Sequence, residues 1–304
     1  MALNKLHKKD FSIAIKTGGN GSDEQKFAKE ASKGELFFNS NDNKLYIATT
    51  DAGLTDATLK QVQLSDYVAP FANSASLSFD GVADYLAINS TASIYSFSAW
   101  VKPTNNISTG SQTPQVLLST GNNFLPGLGG NASGTFTDEL IYMKSGATGW
   151  FYNNSGDSLP NTQWHHIFIS WVSSSSTNSG NPGYDIWLNG SLVGNAKEGT
   201  PTTSGPLSLT ATSRIGSRGD GTRWYNGLID EVAIWTTDVS ADIATIYNSG
   251  TPDDLSDTNV VSTGPAHWWR MGDSNSSTGD VADDGSLNVT AVVNGATYSP
   301  ETPS

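Results

Sequence analysis

Hydrophobic and polar residues alternate along most of the chain beyond residue 75, and this period of two predicts β-strands. The alternation is clearest in Tyr95–Val101 and Trp164–Val172. A hairpin is predicted over Asp185–Val193, because Asn189 and Gly190 suit the two positive-φ positions of a type I′ turn. About a dozen short strands of this kind predict two packed antiparallel sheets.

A single helix interrupts the strand pattern near residue 243. Ser240 suits the N-cap position, and Gly250 suits the C-terminal end. One face of the helix is apolar and consists of Ile243, Ile246 and Tyr247. The predicted fold class is therefore all-β, a sandwich of two antiparallel sheets with one short helix.

The first 70 residues carry a separate pattern of short strands. Phe11–Ile15 alternates with a period of two, and Gly34–Asn39 and Lys44–Ala48 flank a polar turn, which predicts a tight hairpin. An isolated hairpin is only marginally stable in water, so this segment needs a partner surface. We therefore divide the chain into a docking segment, residues 1–70, and a main domain, residues 71–304.

Charge separates nearly the same two parts of the chain. Residues 1–60 hold nine Lys and Arg against eight Asp and Glu, a net charge of +1, whereas the rest of the chain holds seven against 21, a net charge of −14. All nine Trp residues lie in this acidic part. The overall net charge of −13 argues against an unassisted grip on nucleic acid or anionic lipid.

Other features of the sequence narrow the setting in which the protein is made. Cys is absent, so we expect the fold to depend on packing rather than on disulfides or thiolate metal sites. No run of about 18 apolar residues predicts insertion into a membrane, and the N-terminal segment lacks the apolar stretch of a signal peptide. We expect the chain to be made and folded in a cytosol.

Six segments of the main domain together resemble the laminin-G-like jelly rolls of the concanavalin A-like lectin superfamily. They are Leu77–Gly81, Phe97–Pro103, Trp164–Ile167, Trp187–Gly190, Gly227–Trp235 and the helix Ser240–Tyr247. The resemblance implies a jelly-roll sandwich of two antiparallel sheets, in which rim loops or the concave face bind glycans, proteins or calcium. Proteins of one fold differ in function, so the fold by itself names no ligand.

The hairpin segment Gly34–Ala48 resembles the N-terminal modules of bacteriophage tail-fibre and other virion proteins in its Gly-Glu-Leu, Asn, Asp and Leu-Tyr pattern. This resemblance implies that residues 1–70 dock the protein onto other virion proteins. A hairpin packed on the main domain is the alternative. By analogy with fibres, we expect a homo-oligomer, with a trimer as the first candidate.

Glycosidases are the enzymes to consider in this superfamily, and the retaining class needs two carboxyl groups roughly 5 to 5.5 Å apart. Their Glu-x-Asp-x-x-Glu pattern is absent from the chain. The pairs Asp138–Glu139 and Asp230–Glu231 are sequence neighbours, which point to opposite faces of a strand and cannot both reach one bond. We therefore predict no enzymatic activity, and we interpret Asp230 and Glu231 as a turn cap and an edge charge.

Histidine offers a second route to catalysis. His165 and His166 are neighbours on a strand and face opposite ways, so no convergent metal ligand or proton-transfer partner is evident. His267 precedes two Trp residues and is expected to pack at the rim. A Ser-His-Asp arrangement stays open, although no Gly-x-Ser-x-Gly motif supports it.

Calcium is the cofactor that the loops could hold, because it prefers carboxylate and carbonyl oxygens. The acids of the loops are Asp80, Asp220, Asp253, Asp254, Asp283 and Asp284. None of them has Asp-x-Asp-x-Asp spacing, so the sequence defines no set of ligands.

The loop Arg218–Tyr225 is the predicted ligand-binding segment, because it joins two strands and gathers charged and aromatic side chains. The candidate ligand-binding residues are Arg218, Asp220, Arg223, Trp224 and Tyr225, together with Trp150 from a second aromatic segment. Aromatic faces stack on sugar rings, and Arg forks fit carboxylates. Alternatively, Trp224 and Tyr225 begin the next strand and one of them fills the core.

These observations favour a bacteriophage virion structural protein, a particle-exposed fibre or decoration appendage whose lectin-like domain binds host-surface glycans or neighbouring virion proteins. The expected location is the virion, because lysis releases particles without secretion. Two alternatives stay open: a free bacterial glycan-binding lectin, and a polysaccharide hydrolase or lyase.

Overall fold

A computed structural model describes residues 16–18, 36–39, 44–48, 59–61, 71–107, 115–121, 123–129, 141–145, 149–153, 159–175, 180–193, 195–198, 205–273 and 279–303 of the 304-residue chain. The chain divides into two compact units, Met1–Pro70 and Phe71–Ser304. No helix within the described ranges is long and apolar enough to cross a membrane.

The first unit contains a four-stranded sheet. Its strands are β1 (Lys16–Gly18), β2 (Leu36–Asn39), β3 (Lys44–Ala48) and β4 (Leu59–Gln61). They follow one another across the sheet, with β1 parallel to β2 and the other pairs antiparallel. The pairing of β2 with β3 confirms the predicted hairpin. The strand predicted at residues 11–15 lies outside the described residues.

The second unit is built from short strands that pair antiparallel throughout its described part. In chain order they are β5 (Ser76–Asp80), β6 (Tyr85–Ile88), β7 (Ser93–Ile94), β8 (Ser96–Pro103), β9 (Gln115–Val116), β10 (Leu118–Thr120), β11 (Asn123–Leu128), β12 (Ile141–Ser145), β13 (Gly149–Asn153), β14 (His165–Val172), β15 (Gly183–Leu188), β16 (Ser191–Leu192), β17 (Asn195–Glu198), β18 (Leu207–Ser208), β19 (Ser213–Ile215), β20 (Asn226–Trp235), β21 (His267–Trp269), β22 (Val292–Asn294) and β23 (Thr297–Ser299).

These strands form two large sheets and one small one. Sheet I has the order β17-β13-β12-β11-β10-β19-β6-β22, with β9 paired to β11, and sheet II has the order β16-β15-β14-β8-β20-β5-β23, with β21 paired to β20. Strands β7 and β18 pair with each other. The all-β sandwich predicted from the sequence is confirmed.

The main core lies between sheets I and II. Alternate residues of β8, namely Phe97, Ala99 and Val101, point into it from sheet II, and Leu86 and Ile88 of β6 enter it from sheet I. All five are essentially inaccessible to solvent. Each large apolar side chain buried in this way stabilises the fold by roughly 1.5–3 kcal/mol, so the alternation drives the two sheets together.

A second apolar cluster covers part of the outer face of sheet II. Helix α1 (Ile243–Tyr247) is flanked by 3-10 turns at Ser240–Asp242 and Asn248–Gly250, and Ile246 packs with Phe168 and Trp235. The helix is therefore present where the sequence predicts it. Its predicted N-cap is wrong, because the N-cap residue is Val239 for the preceding 3-10 turn and Asp242 for the helix itself, and neither side chain makes a capping hydrogen bond.

The turn between β15 and β16 has the predicted type I′ conformation. Asn189 and Gly190 have φ values of 49° and 75°, and Leu188 pairs with Ser191 across the hairpin. Glycine is required for a second reason, since a Cβ atom on Gly190 would lie 2.5 Å from Cδ1 of Tyr247. The hairpin and helix α1 are therefore in close contact.

The pair Asp230–Glu231 corrects the sequence interpretation. Both residues are buried in the central strand β20, with 0% and 2% exposure, and are neither a turn cap nor an edge charge. The register of β20 against β8 shifts at this point, and Glu231 has a φ of 47°, which marks a β-bulge. Its carboxylate accepts hydrogen bonds from Trp268 Nε1 at 2.6 Å and from Arg270 Nε at 3.2 Å.

Burial governs the ionisation of this pair. It raises the pKa of Asp230 well above its usual value, and the neighbouring Glu231 carboxylate acts in the same direction. Burial likewise raises the pKa of Glu231 to about 7, against the opposing effect of the Arg270 guanidinium. The folded chain therefore binds protons here more tightly than the unfolded chain does.

Arg270 also holds the segment by which the chain enters the sandwich. Its guanidinium lies 4.3 Å from the ring centroid of Phe71 and donates through Nη2 to the Ala72 carbonyl. The carboxylate of Asp273 accepts the Ser74 N–H at 2.7 Å. We call Phe71, Ala72, Ser74, Arg270 and Asp273 the entry clasp.

Glu231→Gln is expected to flatten the pH dependence of stability. The folded-state pKa of about 7 exceeds the value of 4.5 for an exposed glutamate, so the stability that protonation supports is present below pH 4.5 and is lost as the pH rises through 7. The wild type should lose on the order of 1–3 kcal/mol of unfolding free energy over this range that the variant keeps. Urea unfolding at a series of pH values measures the unfolding free energy of the wild type and of the variant.

His166 contributes a pH dependence of stability with the opposite sign, and it does so in the wild type and in Glu231→Gln alike. Burial lowers its pKa from 6.5 to about 3, so its contribution to stability is present above pH 6.5 and declines as the pH falls. Subtracting the variant's profile from that of the wild type removes this contribution. Parallel profiles for the two proteins would show that Glu231 does not titrate as described.

Candidate functional site

Two neighbouring strands of sheet I expose polar and aromatic residues on the face away from the core. In β6, Tyr85 is half-buried whereas the next residue, Leu86, is buried, and in β19 Arg214 is half-buried between two buried neighbours. The two strands pair, with Arg214 opposite Ala87. The Arg214 guanidinium lies 4.0 Å from the ring centroid of Tyr85, a cation–π contact.

The loop after β19 brings a second aromatic ring to the same place. Trp224 is half-buried, and its ring centroid lies 6.1 Å from that of Tyr85, with the planes inclined by 43°. A Cβ atom on Gly221 would lie 3.7 Å from Cζ2 of Trp224 and 3.9 Å from Nη1 of Arg214, so the loop is in contact with both side chains. We call Tyr85, Arg214 and Trp224 the aromatic platform.

Hydrogen bonds within the loop fix its shape. The Arg218 N–H donates to the Thr222 carbonyl at 2.9 Å, and the Gly221 N–H donates to the Arg218 carbonyl at 3.0 Å. Asp220 accepts the Thr222 hydroxyl at 2.6 Å and forms an ion pair with Arg218 at 3.3 Å. A half-exposed ion pair of this kind contributes about 1 kcal/mol or less, so a ligand carboxylate can compete for the Arg218 guanidinium.

The platform and its loop form a locally cationic surface on an acidic protein. Residues 214–225 contain three Arg and one Asp, a net charge of +2, whereas the chain carries −13. Guanidinium groups and aromatic faces together suit a ligand that combines sugar rings with carboxylates. The arrangement can bind such a ligand.

Tyr225 is not available to a ligand, so its prediction as a ligand-binding residue is wrong. The side chain is fully buried, its ring centroid lies 6.2 Å from that of Phe79, and its hydroxyl donates to the Leu228 carbonyl at 3.2 Å. Burial raises the pKa of this phenol well above its usual value. The alternative interpretation, in which one of the two aromatic residues fills the core, is confirmed for Tyr225.

The other candidate residues fall in different places. Arg218, Asp220 and Arg223 lie in the loop beside the platform, and the Arg223 carbonyl accepts the Val116 N–H at 3.0 Å. Trp150 lies in β13, where it pairs with Lys144 and Glu198. Three strands separate β13 from β19, so the structure does not bring Trp150 to the platform.

Sequence reasoning missed Tyr85 and Arg214, although a signal for both was present. Each lies between or beside apolar residues in a short alternating strand, Tyr85–Ile88 or Ser213–Ile215. Alternation places such polar and aromatic residues on the solvent side of a sheet. What the sequence did not indicate is that β6 and β19 are neighbours.

Two of the loop acids considered for calcium, Asp80 and Asp254, have local hydrogen-bond partners. Asp80 accepts the N–H groups of Val82 and Ala83 at 2.7 and 3.0 Å, and these hydrogen bonds lower its pKa. Asp254 accepts the N–H of Ser256 at 2.9 Å. In the described part of the chain, no three or more His, Asp or Glu residues are grouped so that they could hold a metal ion.

His165 and His166 are both buried and have separate partners. The Nε2 atom of His165 lies 3.0 Å from the Pro160 carbonyl oxygen, and that of His166 lies 2.8 Å from Ser98 Oγ. Burial lowers the pKa of each, that of His166 to about 3. The two rings are therefore neutral near pH 7 and do not converge on one site.

A Ser-His-Asp hydrogen-bonded chain does exist, and His267 is not at the rim as the sequence suggested. His267 Nε2 lies 2.8 Å from Ser90 Oγ, and its Nδ1 lies 2.7 Å from Asp283 Oδ2. The His267 ring is fully buried and stacks on Trp269 with centroids 4.8 Å apart. Geometry alone would suit a hydrolase, whereas the complete burial of the histidine does not.

Asp283 shows what this chain of hydrogen bonds does. Its carboxylate also accepts the N–H groups of Trp268, Gly285 and Val289 at 2.7, 2.8 and 2.7 Å. Burial acts to raise the pKa of Asp283, but these bonds and the one to His267 keep it below its usual value. The carboxylate thus joins β21 to the following loop, and His267 extends the connection to Ser90.

Comparison with known proteins places this fold in a family. Residues 79–245, more than half of the chain, match the laminin-G-type family model of the concanavalin A-like lectin/glucanase superfamily. None of the curated proteins compared with the chain matches it in sequence.

Three solved structures resemble the chain at low sequence identity. A candidate carbohydrate-binding protein from Bacteroides ovatus is 14% identical with a TM-score of 0.54, covering 90% of this chain and 71% of its own. A heptameric SAP-like pentraxin from Limulus polyphemus is 11% identical (TM-score 0.37, 58% and 82% coverage). Domain 4 of the GH43 arabinanase AbnA from Geobacillus stearothermophilus, in complex with arabinotriose, is 17% identical (TM-score 0.35, 52% and 68%).

The family match and the Bacteroides ovatus structure agree with the two-sheet sandwich described above. The chain belongs to the laminin-G-type family of the concanavalin A-like lectin/glucanase superfamily.

Proposed function

We propose that the protein is a non-enzymatic glycan-binding appendage of a bacteriophage particle. The observation that carries this proposal is the aromatic platform, in which the half-buried Tyr85 ring lies beside both the Trp224 ring and the Arg214 guanidinium. Half-buried aromatic rings supply contact area at low entropic cost, and sugar rings stack on them. The lectin-like fold and the carbohydrate-binding role named for the Bacteroides ovatus protein support the same function.

The charge of the platform favours an acidic saccharide as its ligand. The loop Arg218–Tyr225 and Arg214 add a net charge of +2 to a surface of an otherwise acidic protein. Arg binds carboxylates with paired, charge-assisted hydrogen bonds. Uronic acids and similar sugars on bacterial surface polysaccharides have this chemistry.

Attachment to the particle is assigned to residues 1–70. The described strands of this part, β1 to β4, are three to five residues long and form a single small sheet. Sheets this small gain stability from packing against a further surface, which other virion proteins or copies of the chain would supply. The resemblance of Gly34–Ala48 to virion modules supports this role, and a homotrimer is the assembly we propose by analogy with fibres.

The absence of catalysis is part of the proposal. Glu231 is committed to Trp268 and Arg270, and Asp283 is committed to three backbone N–H groups. Asp138 and Glu139 lie outside the described residues. Both of these buried acids have a role within the fold, which supports binding rather than hydrolysis.

Trp224→Ala is expected to weaken binding of acidic saccharides by about tenfold or more, because it removes one stacking surface at the centre of the platform. A glycan array of bacterial surface polysaccharides identifies the ligand, and calorimetric titration of the full chain gives the dissociation constants. Binding should also weaken as the salt concentration rises, since Arg–carboxylate contacts are screened.

Trp187→Ala is the matched control for this experiment. Trp187 is also a half-buried indole, but it lies on sheet II, where it packs against Phe168. Its removal should leave the affinity for acidic saccharides unchanged. Equal affinity of Trp224→Ala and the wild type would rule out the platform as the binding surface.

Deletion of residues 1–70 is expected to abolish incorporation into particles while leaving glycan binding intact. Purified virions from cells that make the shortened chain should lack it, as measured by immunoblotting and by immunogold labelling of wild-type particles. A free lectin predicts a different result, namely that neither form of the chain co-purifies with virions.

Ser90→Ala tests the enzyme alternative. The substitution leaves the buried His267 Nε2 without its partner and should cost about 1–3 kcal/mol of unfolding free energy, without changing any release of reducing ends from polysaccharide. A fluorophosphonate probe, which reacts with activated serines, should not label the wild-type chain. Labelling at Ser90, or polysaccharide cleavage lost in Ser90→Ala, would establish a hydrolase instead.

A further inference from the structure

A polar cleft of about 550 Å³ lies on the outer face of sheet II, on the opposite sheet from the platform. Its walls come from β8, the loop before β14, the β15–β16 turn, helix α1 and the segment after β23. The side chains used below are Trp100, Lys102, Trp164, Asn189, Tyr247 and Glu301. The volume lies within the range of small-ligand sites.

The floor of the cleft is aromatic. The rings of Trp100 and Tyr247 lie 5.9 Å apart with their planes inclined by only 20°, and His166 contacts both at 4.9 and 5.7 Å. Trp100 is only 4% exposed, so it serves as the base against which Tyr247 is held. Three packed rings fix the floor before any ligand binds.

The hairpin turn holds one wall in place. Asn189 exchanges two hydrogen bonds with His166, one from its own N–H to the His166 carbonyl at 2.8 Å and one from the His166 N–H to its Oδ1 at 2.9 Å. Gly190 lies against the Tyr247 ring, where no larger residue fits. Because its Oδ1 is engaged, Asn189 can offer its amide NH₂ group as a donor to a ligand.

Trp164 presents a buried hydrogen-bond donor that has no acceptor among the described residues. Its indole Nε1 is shielded from solvent, and the indole N–H can only donate. A buried donor left unpaired costs about 1–3 kcal/mol. A shift of the half-buried Trp164 side chain that brings Nε1 to a ligand oxygen therefore gains affinity. Hydroxyl and ring oxygens of a sugar are acceptors of this kind.

Charges at the cleft compensate one another. Lys102 forms an ion pair with Glu301, and their side chains are 22% and 50% exposed. The Glu301 carbonyl accepts the Ser76 hydroxyl at 2.6 Å, which anchors the segment after β23. With one cation and one anion in contact, this surface has no net attraction for an anionic ligand, whereas both groups can bond sugar hydroxyls.

We propose that this cleft is a second saccharide-binding site, and that it takes a neutral oligosaccharide. An aromatic floor, an unpaired indole donor, an amide and a balanced ion pair are the groups that recognise an uncharged sugar. This site is independent of the aromatic platform, which is cationic and lies on the other sheet.

The test uses the full chain and neutral probes. An array of neutral oligosaccharides of glucose, galactose, mannose and arabinose is screened first, and the tightest binder is titrated by calorimetry. Trp164→Ala should raise its dissociation constant about tenfold or more, whereas the control Trp224→Ala, on the other sheet, should not change it. Trp164→Phe keeps an aromatic surface without the indole N–H and should give an intermediate loss.

Circular dichroism and thermal melting check that each variant is folded. If Trp164→Ala does not fold, Trp164→Phe still tests the proposal. Absence of binding to every neutral probe at about 1 mM would overturn the proposal. It would also be overturned if Trp164→Phe and Trp164→Ala both bound the probe as tightly as the wild type does. Acidic saccharides on a parallel array report on the platform, so either site can fail without the other.

Discussion

Each strand of a two-sheet sandwich can bury only one of its faces in the main core, and this constraint determines where the protein can bind ligands. In β8, Phe97 and Ala99 fill the core while Trp100 lies on the outside of sheet II. In β6, Leu86 is buried while Tyr85 lies on the outside of sheet I. The side chains that a ligand can reach therefore lie on the outer faces and in the loops beside them.

The sequence predicted best the features that depend on a few consecutive residues. The type I′ turn at Asn189 and Gly190 follows from the conformational preferences of that pair, and the hairpin of β2 and β3 follows from its alternation. The alternation of side chains also applies to Trp224 and Tyr225, because neighbouring residues on an extended chain face opposite ways. Only one of the two could be at the surface.

Features that depend on distant residues could not be predicted. Glu231 is buried because Trp268 and Arg270 satisfy its carboxylate, and His267 because Ser90 and Asp283 hold both its ring nitrogens. A single sequence does not state which of its many Ser and Asp residues will meet. The polar cleft on the outer face of sheet II was the hardest feature to predict, since the residues that line it range from residue 100 to residue 302.

The entry clasp has a mechanical consequence. Any tension on the chain that precedes the sandwich reaches it at Phe71, where Arg270 contacts the Phe71 ring and the Ala72 carbonyl. Arg270 also pairs with Glu231, whose pKa is near 7. Protonation of that carboxylate removes the negative charge that pairs with Arg270, so the acidity of the surroundings is linked to the side chain that holds the entry segment.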